Sequence, residues 1–219
     1  PHIFGPDGNY QWSTFPEFLK TYDAVSSVVC TPEDYYDIAV DYLTRAAKEG
    51  LIYSEIFVSS EHPEDVGLSF DAFLDGVSAA LDDVEAKTGL VGRLILTAIR
   101  HRGPERAERT ARNAQLHPHE KVVGFGLAGD ENQFEPKDFV RAYDMASDAG
   151  LRRTAHAGEI AGPESIRATL DALHPERLGH GVRLLEDADL VPRVKDDGIT
   201  LELCPGSNIA LGLFDSYET

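Results

Sequence analysis

The sequence predicts an α/β fold, and within that class an incomplete (β/α)8 TIM-type barrel with about six of its eight βα units. Three observations point there. Short apolar or β-branched runs alternate with longer stretches that read as helices. Several of those stretches open on proline or an acidic cap and close on glycine, as helix start and stop rules require. Polar residues able to do chemistry recur at the ends of successive runs, which is the pattern of a barrel rim and not of a single crevice.

The opening segment FGPDGNYQWSTFPEFLKTYDAVSSV (4–28) begins with turn residues. It then spaces Phe15, Phe18, Leu19 and Tyr22 at i, i+3, i+4 and i+7, one face of a helix. Periodicity alone makes that face ordinary core. Helix-like PEDYYDIAVDYLTRAAKEG (32–50) leads into the first strand-like run, LIYSEIFV (51–58). SFDAFLDGVSAALDDVEAKTG (69–89) precedes RLILTAI (93–99), and GPERAERTARNAQL (103–116) precedes KVVGFGLA (121–128). PKDFVRAYDMASDAG (136–150) precedes LRRTAHA (151–157), and PESIRATLDAL (163–173) precedes ERLGHGV (176–182). DADLVPRVKDDG (187–198) precedes ITLELCP (199–205). GFGLAG (124–129) superficially matches a glycine-rich phosphate loop. Its glycines lie inside a strand-like run, so no dinucleotide site is expected.

With 219 residues, 42% of them hydrophobic, the chain suits one core. Acidic residues outnumber basic ones by 38 to 20, a formal charge of -18. Such a surface repels phosphate backbones, so neither nucleic acid nor a membrane is an expected partner. The two cysteines, Cys30 and Cys204, make neither a disulfide framework nor a zinc motif, and a reducing cytoplasm is the expected setting. No apolar run is long enough to span a bilayer and no signal peptide is visible, although the chain begins at Pro1 and not at methionine.

The expected rim residues are Glu55 and Ser59, Arg100 and His101, Asp130 and Glu131, His156 and Glu159, His180, and Ser207 and Asn208. His156 alone reads as a structural histidine. His180 gains weight from its GHG context, because flanking glycines let a ligand approach the backbone. Glu159 adds a carboxylate on the loop after the same strand as His156. Two imidazoles and a carboxylate on neighbouring strands suit metal-assisted hydrolysis or a metal-free acid–base site, and the residues alone leave both open. Asp130 and Glu131 read as helix caps or pocket neighbours outside the site. Cys204 reads as a small buried apolar residue, and Ser207 and Asn208 as groups that order a loop. His2, His62, His101, His117, His119 and His174 read as ordinary surface or loop histidines.

TAHAGE (154–159), RLGHGVRLLED (177–187) and LELCPGSN (201–208), in this order and spacing, resemble the adenosine deaminase family of zinc-dependent barrel hydrolases. VVGFGLAGDE (122–131) and FPEFLKTYD (15–23) resemble that family's purine-contacting strand and hydrophobic lid helix. The resemblance implies one Zn2+ per complete site, with His156 as a ligand. It implies that Glu159 protonates N1 of the purine and that His180 orients and helps activate the attacking water. It makes the Gly129 N–H a donor to another ring nitrogen, and Phe15, Phe18, Leu19 and Tyr22 a cover over the sugar side. Residues 1–28 are then a lid-like helical segment of one truncated barrel domain, 1–219.

The implied reaction is hydrolysis of adenosine or 2'-deoxyadenosine to the inosine product and ammonia, with a small purine nucleoside as partner. Adenine deamination is the nearest alternative. That branch tends to carry aspartate before the histidine–glycine pair, where this chain has Gly179. Deamination of a modified nucleoside of the aminofutalosine type is a third reading, and an inactive purine-binding fragment is a fourth. The family's HxH pair on its first strand and Asp-Asp pair after its last do not occur in the sequence. The expectation is a piece of a longer protein without its first and last units. A second chain filling the wedge and a natural remnant are the competing explanations. Two absent strands would leave open barrel edges that favour self-association.

Overall fold

The computed structural model describes residues 4–218 apart from 7 and 9. Side-chain caps start the first helices. Thr14 accepts from the Glu17 N–H at the head of α1 (Phe15–Ser26), and Thr31 and Asp34 form a reciprocal capping box on α2 (Pro32–Lys48). Then come β1 (Tyr53–Val58), the short α3 (Glu61–Asp65) and α4 (Phe70–Thr88). Gly89 ends α4 in the left-handed conformation that only glycine adopts without strain. The chain continues through β2 (Val91–Ile99), α5 (Pro104–Leu116), β3 (Val122–Ala128), α6 (Val140–Asp148) and β4 (Arg152–Ala157). It closes with α7 (Pro163–Leu173), β5 (Arg177–His180), α8 (Leu190–Asp196), β6 (Thr200–Glu202) and α9 (Pro205–Ala210).

All six strands are parallel and pair in sequence order, β1 to β6. The sheet curls strongly. The rings of Phe57 on β1 and His156 on β4 are 5.9 Å apart, whereas three strand spacings of a flat sheet would separate them by roughly 14 Å. The architecture is therefore an incomplete TIM-type α/β barrel. Among the described residues β1 and β6 each have one strand partner, so both present an open edge.

Alternation along the strands sorts side chains between the helices and the hollow. On β2, Leu94, Leu96 and Ala98 pack outward with Phe73, Leu81, Ala107 and Ala111. Thr97 faces the concave side. A second cluster, including Ala157, Ile166, Leu170, Leu178 and Leu190, secures β4 and β5 to α7 and α8. Each large side chain so buried contributes about 1.5–3 kcal/mol, and this packing holds the strand ends that carry the site. Among the described residues no helix is long and apolar enough to cross a membrane.

Two strand-level expectations need correction. The last two strands are shorter than their apolar runs, so Cys204 lies beyond β6, half-buried, at the start of α9. Pro205 opens that helix and ends the strand. Glu55 does not belong to the rim. It is the third residue of β1 and pairs with Arg177, the first residue of β5, at the opposite mouth of the hollow. Alternation gives the face a side chain points to, but its depth along the barrel depends on the register of its neighbours.

Candidate active site

At the carboxyl ends of β4 and β5 three side chains meet. His156 is the fifth residue of β4, directly opposite Gly179 in the register with β5. Its ring lies edge-on to His180, with centroids 4.8 Å apart. Gly179 makes this approach possible: a Cβ there would sit 2.4 Å from His156 Cδ2. His180 ends β5 with φ of 63°, a left-handed conformation unusual for a non-glycine residue. Asn208 on α9 holds it there through Nδ1···Oδ1 at 2.9 Å. With the Asn208 oxygen accepting, Nδ1 carries the proton and Nε2 presents its lone pair to Glu159 Oε1, 3.4 Å away.

The protonation states fit that pairing. Burial, and then the negative charge of Glu131, pushes the Glu159 carboxyl up to about 7. Burial, and then His180, pushes His156 down to about 3. Burial also lowers His180, although its bond to Asn208 opposes the shift. A neutral imidazole thus faces a carboxyl group that holds its proton to near neutrality.

Glu131, which the sequence left outside the site, is what shapes the Glu159 loop. Its buried carboxylate accepts the backbone N–H groups of Gly158, Glu159, Ile160 and Ala161 at 2.7, 2.9, 2.8 and 3.1 Å. The Ser165 hydroxyl donates to it at 2.7 Å. Four successive N–H groups converging on one anion form a nest. An acidic residue just past a strand end was the available signal, but the partners lie 27 or more residues away. Asp130 instead folds its own loop, accepting from the Asn132 N–H at 3.0 Å.

Above the cluster lies a cavity of about 250 Å3. Phe15, Phe18, Leu19 and Tyr22 of α1 line one wall, so this apolar face covers the hollow and is not ordinary core. Gly129, His156, Glu159, His180 and Ser207 also line it. Two histidines read as ordinary prove to be cavity residues, His62 and His101. His62 is hydrogen-bonded to Asp23 of α1 at 2.9 Å, and Arg102 reaches the same carboxylate at 3.0 Å. Arg102 also binds Asp65 at 2.6 Å, so α1 is fastened to the rim. Arg100 turns away from the cavity to the carbonyls of Gln133 and Phe134. Ser59 lines the cavity and accepts the Glu61 N–H. His117 pairs with Asp71, His119 accepts the Lys121 N–H, and His174 caps α7. His2 lies outside the described residues.

His156, Glu159 and His180 bring one donor atom each within 4.8 Å of the others. Neutral imidazoles and a carboxylate are the donor chemistry of hydrolytic zinc sites, so these residues fit the implied metal. Glu159 and His180 already face each other, which leaves His156 as the ligand this cluster offers most freely.

The family model described as adenosine deaminase matches residues 9–219. An adenine deaminase from Sinorhizobium medicae is 49% identical over 213 residues, 97% of this chain and 66% of the relative. The chain therefore spans just under two thirds of that protein's length. The crystal structure of an adenine deaminase from Arthrobacter aurescens superposes with a TM-score of 0.88 at 34% identity, covering 94% of this chain and 62% of that one. An amidohydrolase from Burkholderia ambifaria with bound Zn gives 0.83 at 26% identity, over 88% and 54% of the two chains. A match along nearly the whole chain, joined to the barrel and its motifs, places the chain in the adenosine deaminase family.

Proposed function

We propose that this chain forms the acid–base part of a site that hydrolyses adenine to hypoxanthine and ammonia. The observation that carries the reading is the pairing of a protonated Glu159 with a neutral His180 beside His156, under an apolar cover. The sequence put adenosine ahead of adenine, partly because Gly179 precedes His180. Both the identity to adenine deaminases and the structure favour reversing that order. Gly179 is explained by the close approach of His156, so it carries no information about the sugar.

Glu159 donates its proton to N1 of the purine, which draws electron density from C6 and opens it to attack. His180 takes a proton from the attacking water and holds that water toward C6. His180 returns its proton to the exocyclic nitrogen, which leaves as ammonia while the C6 hydroxyl proton passes to Glu159, so adenine and water become hypoxanthine and ammonia. A zinc ion held in part by His156, when bound, supplies the Lewis acidity that brings water toward ionisation at neutral pH. Phe15, Phe18, Leu19 and Tyr22 keep bulk water off the ring, and Gly129 offers a backbone edge to another ring nitrogen. A second reading, purine binding without turnover, is favoured by one observation: Glu159 and His180 engage each other, so His156 is a single free ligand where catalytic zinc takes three.

Ammonia release from adenine and from adenosine, with zinc supplied, tests the reading. Adenine turnover that disappears in Glu159→Gln supports it. Faster release from adenosine would sink the base assignment, and purine binding without any release would select the second reading.

A further inference from the structure

The longer helices α2, α4, α5, α6 and α7 bury apolar side chains in a core, and α1 does not. Thr21 is its one buried residue. The aromatic face that lines the cavity is only partly covered, and Tyr22 is 52% exposed. Among the described residues, the hydrogen bonds and ion pairs that run from α1 to the barrel all end on Asp23. Its Oδ1 accepts from His62 Nε2 at 2.9 Å and from Arg102 Nη2 at 3.0 Å. Asp65 braces Arg102 from the other side, and Tyr22 meets the His62 ring edge-on with centroids 5.4 Å apart. Both donors are largely buried in the rim, whereas Asp23 is half-exposed. The helix is therefore the side free to leave. Residues 27–31 join it to α2, and Val28 in that link is exposed, so the link offers little packing against a swing.

We propose that Asp23 is a positioning residue, a clasp that holds α1 over the cavity, and that its release from His62 and Arg102 lets a purine base in and out. The clasp follows from the geometry alone, and the passage of a purine rests on the reading above. Charge-assisted hydrogen bonds are the strong ones, and here two converge on one oxygen. Burial by itself secures α1 weakly, because much of its apolar face stays in contact with water. A cover fastened at one point opens by breaking that point, without disturbing a core. That is what an element that moves at each turnover requires.

Amide hydrogen exchange tests the clasp without any ligand. A helix of 12 residues such as α1 is marginal alone in water, so its detachment reads as exchange across Phe15–Ser26. Asp23→Ala should speed that exchange about tenfold and leave β4 and β5 unchanged. Alanine favours helix more than aspartate does, so faster exchange reports the lost clasp and not a weaker helix. His62→Leu leaves α1 untouched and should act in the same direction, which decides the matter if Asp23→Ala fails to fold. Asp23→Glu should keep most of the protection. Trp12, the one tryptophan, lies edge-on to Phe18 at 5.2 Å. Its stopped-flow fluorescence should show adenine leaving Asp23→Ala about tenfold faster than wild type. Equal protection of α1 in wild type, Asp23→Ala and His62→Leu overturns the clasp, and so does a loss that spreads through β4 and β5. A loosened α1 with an unaltered adenine release rate overturns the gating role. Wild type that binds no adenine overturns the purine reading and the gating role with it, and the exchange result then decides the clasp alone.

Discussion

At the base of the concave face Glu55 pairs with Arg177, Arg177 comes within 3.6 Å of Glu202, and Arg153 holds Glu176 at 3.1 Å. At the rim, Glu159 faces His180 and, among the described residues, has no lysine or arginine partner. The two ends use the same kinds of side chain and leave them in different states. Burial alone would raise the carboxyls of Glu55 and Glu176, but their arginines outweigh it and hold both below the ordinary range. Glu202 is the intermediate case: burial raises it despite Thr154 and Arg177. Nothing offsets burial for Glu159, and a second carboxylate, Glu131, adds to it. Desolvation with a counter-charge makes a clamp that keeps its charge near neutrality, whereas desolvation without one makes a group that can exchange a proton there.

Exchanging one carboxyl at each end should separate these roles most sharply. Glu159→Gln is expected to lower turnover by about 100-fold or more, and Glu55→Gln to leave turnover unaltered, both read as ammonia release from adenine. Comparable losses at the two ends would erase the distinction. Next in size is Glu131→Ala, which strands four N–H groups, those of Gly158 and Glu159 buried and those of Ile160 and Ala161 part-buried. A stability loss on the order of 4 kcal/mol is expected in urea denaturation, and a loss under about 1 kcal/mol would show that the loop holds itself. Gly179→Ala presses a Cβ against His156 and should cost about 1–3 kcal/mol and weaken zinc retention in equilibrium dialysis. Unchanged metal binding would argue against His156 as a ligand.

Dependence on pH offers a finer comparison, because the two ends have opposite signs. The folded Glu159 carboxyl titrates at about 7, above its ordinary value of 4.5. Its favourable contribution is full below the unfolded pKa and is lost as pH rises through 7. Thermal melts should therefore show Glu159→Gln gaining on wild type as pH climbs from about 4.5 to about 7, with no further gain above that. Glu55 is shifted the other way, so its contribution exists above its unfolded pKa and fades as pH falls through the folded value. Glu55→Gln should accordingly trail wild type at neutral pH by about 1 kcal/mol or less, since the pair is partly solvated, and the deficit should close in acid. Parallel curves for the two variants would contradict the contrast between rim and base.

Strand order, helix starts and the membership of His156, Glu159 and His180 in one cluster were legible from the residues by themselves. Caps, alternation and glycine stops act over a few residues, and the HAGE and GHG motifs carry their chemistry within one strand end each. Only the tertiary structure decided the rest. Glu131 meets its loop across 27 to 34 residues, His62 meets Asp23 across 39, and Asn208 meets His180 across 28. Glu55 finds Arg177 across 122. Such contacts exist because the sheet curls and brings distant strand ends around one hollow, and curvature is a property of packed strands, not of any short stretch of chain.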